Sequence, residues 1–171
     1  MYPEQTGNPV FGAPADLTAY ILEPVEGITD KKRPAVLLCP GGGYHKLSGR
    51  EDQPIAMKYL AAGFHVFVLH YSLVPDVFPR ALMELALSMK LIREHGNEWN
   101  VDVKRIAVSG FSAGGHLACC LGTFWNKEWL YKALEVKPEI IQPNGMILCY
   151  PVITSEEYCH KGSFECLMGT E

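Results

Sequence analysis

Short apolar runs recur along this chain, and segments with helical spacing separate them. Strands that are apolar throughout, without polar alternation, are typical of a sheet that is buried on both faces. Strands of this kind that alternate with helices indicate an α/β architecture. The pattern therefore predicts an α/β fold with a mostly parallel sheet and helices on both faces. The predicted strands are "LTAYILE" (17–23), "AVLLC" (35–39), "FHVFVLHY" (64–71), "RIAVSG" (105–110) and "GMILCYPV" (145–152).

Three of the intervening segments carry helical signals. "QPIAMKYLAAG" (53–63) ends at Gly63, a residue type that commonly stops a helix. From Arg80 to His95 apolar residues recur at helical spacing, and Pro79 suits the first turn. The third helix is predicted for "AGGHLACCLGTFW" (113–125).

The length predicts a single domain. A chain of 171 residues can bury one core. Residues 1–16 contain three prolines and two glycines and predict a loose lead-in. Residues 17–171 are assigned to one α/β domain.

Composition and charge exclude several classes of function. The formal net charge of -4 argues against a nucleic-acid partner, because phosphate binding favours a basic surface. No apolar run is long enough to span a bilayer, and the N-terminus lacks the pattern of a signal peptide. The six cysteines form no CxxC pair, so neither a zinc site nor a redox pair is predicted. We therefore expect reduced thiols in a cytoplasmic protein, with no membrane partner, metal or cofactor.

The stretch "VSGFSAGGHLA" (108–118) places Ser112 between Gly110 and Gly114, at the junction of a predicted strand and helix. A sharp turn there lifts the hydroxyl above the sheet, and only small neighbours fit such a turn. The amides at the start of the following helix favour negative charge that develops beside the serine. The pattern predicts a nucleophile, although a tight turn without chemistry would give the same letters.

A second glycine stretch, "CPGGGYHKLSG" (39–49), follows another predicted strand. In parallel sheets the carboxyl ends of the strands meet at one edge, so we expect this loop near Ser112. Cleavage of an ester needs N–H donors for the tetrahedral oxyanion, and Gly42, Gly43 and Ala113 are the predicted donors. The loop lacks the Walker pattern, and Lys46 stands where a dinucleotide fingerprint requires glycine. Nucleotide binding is therefore not predicted.

On these motifs the chain resembles the α/β-hydrolases, in the carboxylesterase and acetyl esterase branch that is related to hormone-sensitive lipase and to xylan-processing esterases. One departure is Pro40, which stands where hormone-sensitive-lipase-like members carry histidine. The stretches that carry the resemblance are "PGGGY" (40–44), "YSLVPDVFPRAL" (71–82), "RIAVSG" (105–110), "GFSAGGHLA" (110–118), "YPVIT" (150–154) and "HKGSFECLMG" (160–169).

The resemblance implies a serine carboxylic-ester hydrolase for short acyl esters, with sugar esters as a candidate class and no cofactor. Ser112 would be the nucleophile, Gly42, Gly43 and Ala113 the oxyanion hole, and Tyr44 a residue of the substrate pocket. An arylformamidase-like amidase shares these motifs and is an alternative within the same class.

The acid and the base of the triad are not predicted within this chain. The family order is serine, then acid, then histidine, and only His116 and His160 follow Ser112. We interpret His116 as a packed residue, and a triad of His160 with Glu156 or Glu157 would need a new geometry. Other polar residues, including His65, His70, Glu51, Asp76 and Asp102, are interpreted as structural, turn or helix-start residues.

We therefore expect the missing residues, with further strands, beyond Glu171, and an inactive chain without them. An uncovered sheet edge would then be free to pair with a second chain. The alternative from a different class is a non-catalytic α/β-hydrolase remnant that binds a ligand or a protein partner.

Overall fold

The structure is a computed structural model that describes residues 15–24 and 31–169. In these residues a single five-stranded sheet has the order β1-β3-β2-β4-β5. Strands β2 to β5 pair in parallel, and β1 pairs antiparallel with β3 at one edge. The prediction of a mostly parallel sheet is confirmed. The strands are β1 (Asp16–Tyr20), β2 (Arg33–Cys39), β3 (His65–His70), β4 (Val101–Phe111) and β5 (Gly145–Cys149).

The three predicted helices form, with ends that differ from the prediction by at most two residues. Three shorter helices were not predicted, because each is too short to show a full apolar period. They contribute single buried anchors to the core, such as Leu130, Ile141 and Leu167. The helices are α1 (Gln53–Ala61), α2 (Arg80–Glu94), α3 (Ala113–Phe124), α4 (Glu128–Ala133), α5 (Pro138–Ile141) and α6 (Lys161–Met168).

Successive residues of β2 point to opposite faces of the sheet and reach two separate apolar clusters. Leu37 belongs to the larger cluster, which also contains Leu85 of α2 and Leu117 of α3. Leu38 belongs to the smaller cluster, together with Ala56 of α1. Each fully buried leucine contributes about 2 kcal/mol through the apolar area that it removes from water. Burial on both faces explains why this strand is apolar without alternation.

The segment after β3 is fixed to α2 by a buried carboxylate. Glu84 is 2% exposed and accepts hydrogen bonds from the Ser72 amide (2.8 Å) and the Ser72 hydroxyl (2.5 Å). Arg80 Nε lies 3.2 Å from the same carboxylate, one helical turn away. The buried charge is thus paired and hydrogen-bonded, as a buried charge must be. These contacts give a structural role to Ser72 and Arg80 of the "YSLVPDVFPRAL" stretch.

Several predicted boundaries differ from the structure. Strand β1 ends at Tyr20, and β5 ends at Cys149 because Tyr150 has a φ of 37° and leaves the strand. Strand β4 begins at Val101, so Asp102 lies in the strand and not in a turn before it. A register shift in the pairing with β2 gives this part of β4 its irregular form. The predicted lead-in falls, at 1–14, outside the described residues.

Strand β5 lies at the second edge of the sheet, where β4 is its one strand neighbour among the described residues. Met146 and Ile147 on this strand are 48% and 39% exposed. Pairing of this edge with a second chain stays a prediction.

The contact between His70 and Asp52 is expected to make the stability of the fold depend on pH. His70 Nε2 lies 2.6 Å from Asp52 Oδ2, and this hydrogen bond raises the pKa of His70 above its ordinary value of 6.5. Because the folded pKa is raised, the stabilisation is complete below the unfolded pKa and is lost as pH rises through the folded one. We expect His70→Gln to lower the free energy of unfolding by about 1 kcal/mol at pH 5.5, and by less at pH 9.

Urea unfolding of the wild type and His70→Gln at both pH values measures this difference. His45→Gln, which removes an exposed histidine, is the control. A difference between wild type and His70→Gln that grows with pH would contradict the assignment.

Candidate active site

Ser112 occupies a strained turn between β4 and α3. Its φ of 53° and ψ of -117° lie in a region that residues with a side chain rarely adopt. The last residue of β5 and the segment after it bind the backbone of this turn. The Ser112 amide donates to the Cys149 carbonyl (3.0 Å), and the Val152 amide donates to the Ser112 carbonyl (3.2 Å).

The glycines around Ser112 are required by close backbone approaches. A Cβ added to Gly110 would lie 2.1 Å from the Gly114 carbonyl oxygen, and a Cβ on Gly114 would lie 2.1 Å from the Cys39 carbonyl oxygen. Neither contact is sterically possible, so both positions need glycine. The second approach also brings the start of α3 directly against the end of β2.

The glycine loop that follows β2 lies beside Ser112. An added Cβ on Gly41 would lie 3.1 Å from Ser112 Cβ. Beyond Gly41 the backbone turns through three positive φ values, 132° at Gly42, 69° at Gly43 and 61° at Tyr44. The structure thus brings the two glycine-rich stretches together at the carboxyl ends of β2 and β4, as expected for a parallel sheet.

Three amides at this junction have no acceptor in the part of the chain that the structure describes. Among the described residues, the N–H groups of Gly42, Gly43 and Ala113 donate no hydrogen bond. Unpaired backbone donors with restricted exposure are unfavourable unless water or a ligand satisfies them. Gly42, Gly43 and Ser112 line an open cleft of about 660 Å³.

In the residues that the structure describes, Ser112 Oγ has no hydrogen-bond partner. His45 and His160 line the same cleft, but neither is bonded to the serine. His160 Nδ1 instead pairs with Ser163 Oγ at 2.8 Å. No histidine or carboxylate of this part of the chain is therefore in place to accept the proton of Ser112.

Tyr44 and His116 are packed beneath the glycine loop. Tyr44 is 3% exposed, and its hydroxyl lies 2.8 Å from His116 Nδ1. Burial raises the pKa of Tyr44 and lowers the pKa of His116, so both groups are held neutral. The structure agrees with the interpretation of His116 as a packed residue. Tyr44 is not among the residues that line the cleft with Ser112, and its role in the substrate pocket stays a prediction.

Comparison with known proteins identifies the family. A family model described as BD-FAE matches residues 24–145, which is most of the chain.

The chain belongs to the BD-FAE family.

Relatives of this BD-FAE chain include esterases and a xylanase. It is 32% identical over 148 residues to endo-1,4-beta-xylanase B of Butyrivibrio fibrisolvens, covering 82% of this chain and 22% of that protein. It is 30% identical over 139 residues to an acetylxylan esterase of Xylanibacter ruminicola, covering 80% of this chain and 26% of that protein. The chain thus spans about a quarter of the length of these curated relatives.

The solved carboxylesterase Cest-2923 from Lactobacillus plantarum WCFS1 superposes with a TM-score of 0.81 at 32% identity. The match covers 99% of this chain and 64% of that one. The fold is accordingly that of an esterase-like α/β-hydrolase, as the resemblance implied.

Two polar residues of the BD-FAE cleft were missed by the sequence reasoning. Glu51 was interpreted as a helix-start residue, and Tyr150 as part of a strand. Both line the cleft with Ser112 and are hydrogen-bonded to each other at 2.8 Å. Neither residue carried a sequence signal for the cleft, because local patterns do not reveal which distant segments meet.

Three further observations on the BD-FAE chain concern its thiols, metal binding and membrane-spanning helices. All six cysteines are free thiols, and burial raises the pKa of Cys120 to about 12. Within residues 15–24 and 31–169 no three His, Cys, Asp or Glu side chains form a cluster suited to a metal ion. No helix of the described ranges is both long and apolar enough to cross a membrane.

Proposed function

We propose that this chain carries the nucleophile and the oxyanion donors of a serine carboxylic-ester hydrolase. The observation that carries the proposal is that Ser112, Gly42 and Gly43 line one cleft, beside amides that have no acceptor among the described residues. The preferred substrates are short acyl esters, with acetylated sugars as a candidate class. The names of the related acetylxylan esterase and carboxylesterase support this class.

The chemistry follows from the positions of these groups. Ser112 Oγ attacks the acyl carbon, its proton passes to a base, and the carbonyl oxygen becomes an oxyanion. The amides of Gly42, Gly43 and Ala113 donate to that oxygen, and the N-terminus of α3 adds a partial positive charge. Collapse breaks the bond to the alkoxy group, which takes the proton back from the base and leaves as the alcohol, so that an acyl group remains on Ser112. Water then attacks this ester, which releases the acid and restores the serine.

The base is the part of the mechanism that the described residues do not supply. We expect it, with its orienting acid, from residues outside these ranges. Residues 1–171 alone should then hydrolyse esters slowly, because oxyanion donors without a base give only a residual rate.

The test is a comparison of substrates with the protein that contains this chain. We expect kcat/KM for p-nitrophenyl acetate to exceed that for p-nitrophenyl octanoate by about 10-fold or more, since a pocket for a short acyl group excludes the longer chain. Mass spectrometry of rapidly quenched samples should find acetate bound to the peptide that contains Ser112.

Two other results would change the assignment. Faster turnover of N-formylkynurenine than of the acetyl ester would favour the arylformamidase-like alternative. Complete absence of an acyl-enzyme and of turnover would favour a non-catalytic binding protein, the alternative that rests on the absence of a catalytic acid and histidine among the described residues.

A further inference from the structure

The carboxylate of Glu51 joins two loops that border the cleft. Glu51 Oε2 accepts a hydrogen bond from the Gly41 amide at 2.9 Å. Glu51 Oε1 accepts one from the Tyr150 hydroxyl at 2.8 Å. One side chain therefore connects the start of the glycine loop after β2 with the end of β5, although Glu51 and Tyr150 are 99 residues apart in sequence.

The two residues that Glu51 binds lie next to the serine: Gly41 lies against Ser112, and Tyr150 lies against Phe111, the residue before it. An added Cβ on Gly41 would lie 2.6 Å from Glu51 Oε2 and 3.1 Å from Ser112 Cβ, so Gly41 lies between the carboxylate and the serine. The ring of Tyr150 contacts the ring of Phe111 edge-on, with centroids 5.7 Å apart. Glu51 thus lies where the ends of β2, β4 and β5 converge.

Gly41 is the residue from which the glycine loop departs. Its carbonyl accepts from the Ser48 amide at 2.8 Å, and the Glu51 amide donates to the Ser48 carbonyl at 2.9 Å. The loop is therefore closed on itself, and the carboxylate bond to the Gly41 amide fixes the point at which it begins. A small shift of this point would move the amides of Gly42 and Gly43 relative to Ser112.

A carboxylate suits this position because both of its neighbours are donors. The Gly41 amide can only donate, and the Tyr150 hydroxyl must donate here because an ionised carboxylate has only acceptor atoms. Two charge-assisted bonds of this kind are stronger and more directional than neutral ones. In the residues that the structure describes, neither carboxylate oxygen is hydrogen-bonded to the Ser112 hydroxyl.

We propose that Glu51 is a positioning residue for ester hydrolysis, which sets the distance between the oxyanion donors Gly42 and Gly43 and the Ser112 hydroxyl through Gly41 and Tyr150. The inference rests on the proposed function and names a residue that acts through others without touching the substrate.

The test uses Glu51→Ala and Glu51→Gln in the protein that contains this chain. Glu51→Ala should lower kcat for p-nitrophenyl acetate by about 100-fold with little change in KM, because misplaced oxyanion donors lose contacts made in the transition state. Glutamine can accept from Gly41 with its oxygen and donate to Tyr150 with its nitrogen. Glu51→Gln should therefore recover activity to within about 10-fold of the wild type, since neutral bonds are weaker than charge-assisted ones.

A second readout reports on the oxyanion donors directly. A trifluoromethyl ketone adds Ser112 Oγ to its carbonyl carbon, the serine proton passes to the base, and the former carbonyl oxygen becomes the oxyanion. Its inhibition constant should rise in Glu51→Ala by the same factor as kcat/KM falls. A loss of global stability alone would not make the two factors agree.

Glu156→Gln is the matched control, because this exposed carboxylate lies in the loop after β5 and outside the cleft. It should leave kcat and the inhibition constant unchanged. An active wild type in which Glu51→Ala and Glu51→Gln both match Glu156→Gln would overturn the role of Glu51 alone. A wild type without Ser112-dependent turnover would overturn the proposed function as well.

Discussion

Replacement of Ser112 with alanine is expected to lower kcat/KM for p-nitrophenyl acetate by at least about 1000-fold in the protein that contains this chain. The reason is that the proposed mechanism needs a covalent acyl intermediate, and alanine offers no atom that could form it. The remaining rate would come from direct attack by water, with the amides of Gly42, Gly43 and Ala113 stabilising the oxyanion. Initial rates over a range of substrate concentrations measure the change.

The substitution should leave the fold intact. Among the described residues the Ser112 hydroxyl makes no hydrogen bond, so its loss leaves no partner unsatisfied. Thermal unfolding should therefore give the same midpoint for the wild type and the variant. Ser155→Ala removes an exposed serine outside the cleft and should retain full activity. Equal turnover by Ser112→Ala and the wild type would remove Ser112 from the mechanism.

Replacement of Gly114 with alanine is expected to destabilise the fold by about 3 kcal/mol or more, which for a domain of this size can prevent folding. The added methyl group would lie 2.1 Å from the Cys39 carbonyl oxygen and 2.4 Å from that of Pro40. Both are backbone atoms, so no change of rotamer relieves the contact. Helix α3 would have to move away from the end of β2, and Ser112 would move with it.

Gly49→Ala is the matched control for this prediction. Gly49 belongs to the glycine loop, and an added Cβ there would meet no atom within 4 Å. Both substitutions remove the same flexibility from the unfolded chain, so the difference between them isolates the steric effect. We expect Gly49→Ala to change the free energy of unfolding by less than about 1 kcal/mol. Urea unfolding curves with similar midpoints for the two variants would contradict the close packing of Gly114 against the end of β2.

The local patterns of the sequence were enough to predict the class of fold. Residues 35–39 are apolar without alternation because β2 is buried on both faces, and the first three helices carry enough turns to show an apolar period. The glycines at 110 and 114 marked a close backbone approach, which the structure confirms at both positions. The short helices α4, α5 and α6 bury too few residues each to produce a readable signal.

The composition of the cleft was decided by the tertiary structure. In sequence Glu51 is a predicted helix-start residue and Tyr150 a predicted strand residue, and only the order of the strands brings them into contact. Tyr44 follows the three glycines, yet its φ of 61° turns the side chain into the core, which sequence spacing cannot reveal.

The sequence by itself thus determined the α/β-hydrolase fold and the two glycine-rich turns, because these depend on burial and on backbone conformations that only certain residues permit. The tertiary structure decided which side chains surround Ser112, because those contacts join residues that are far apart along the chain.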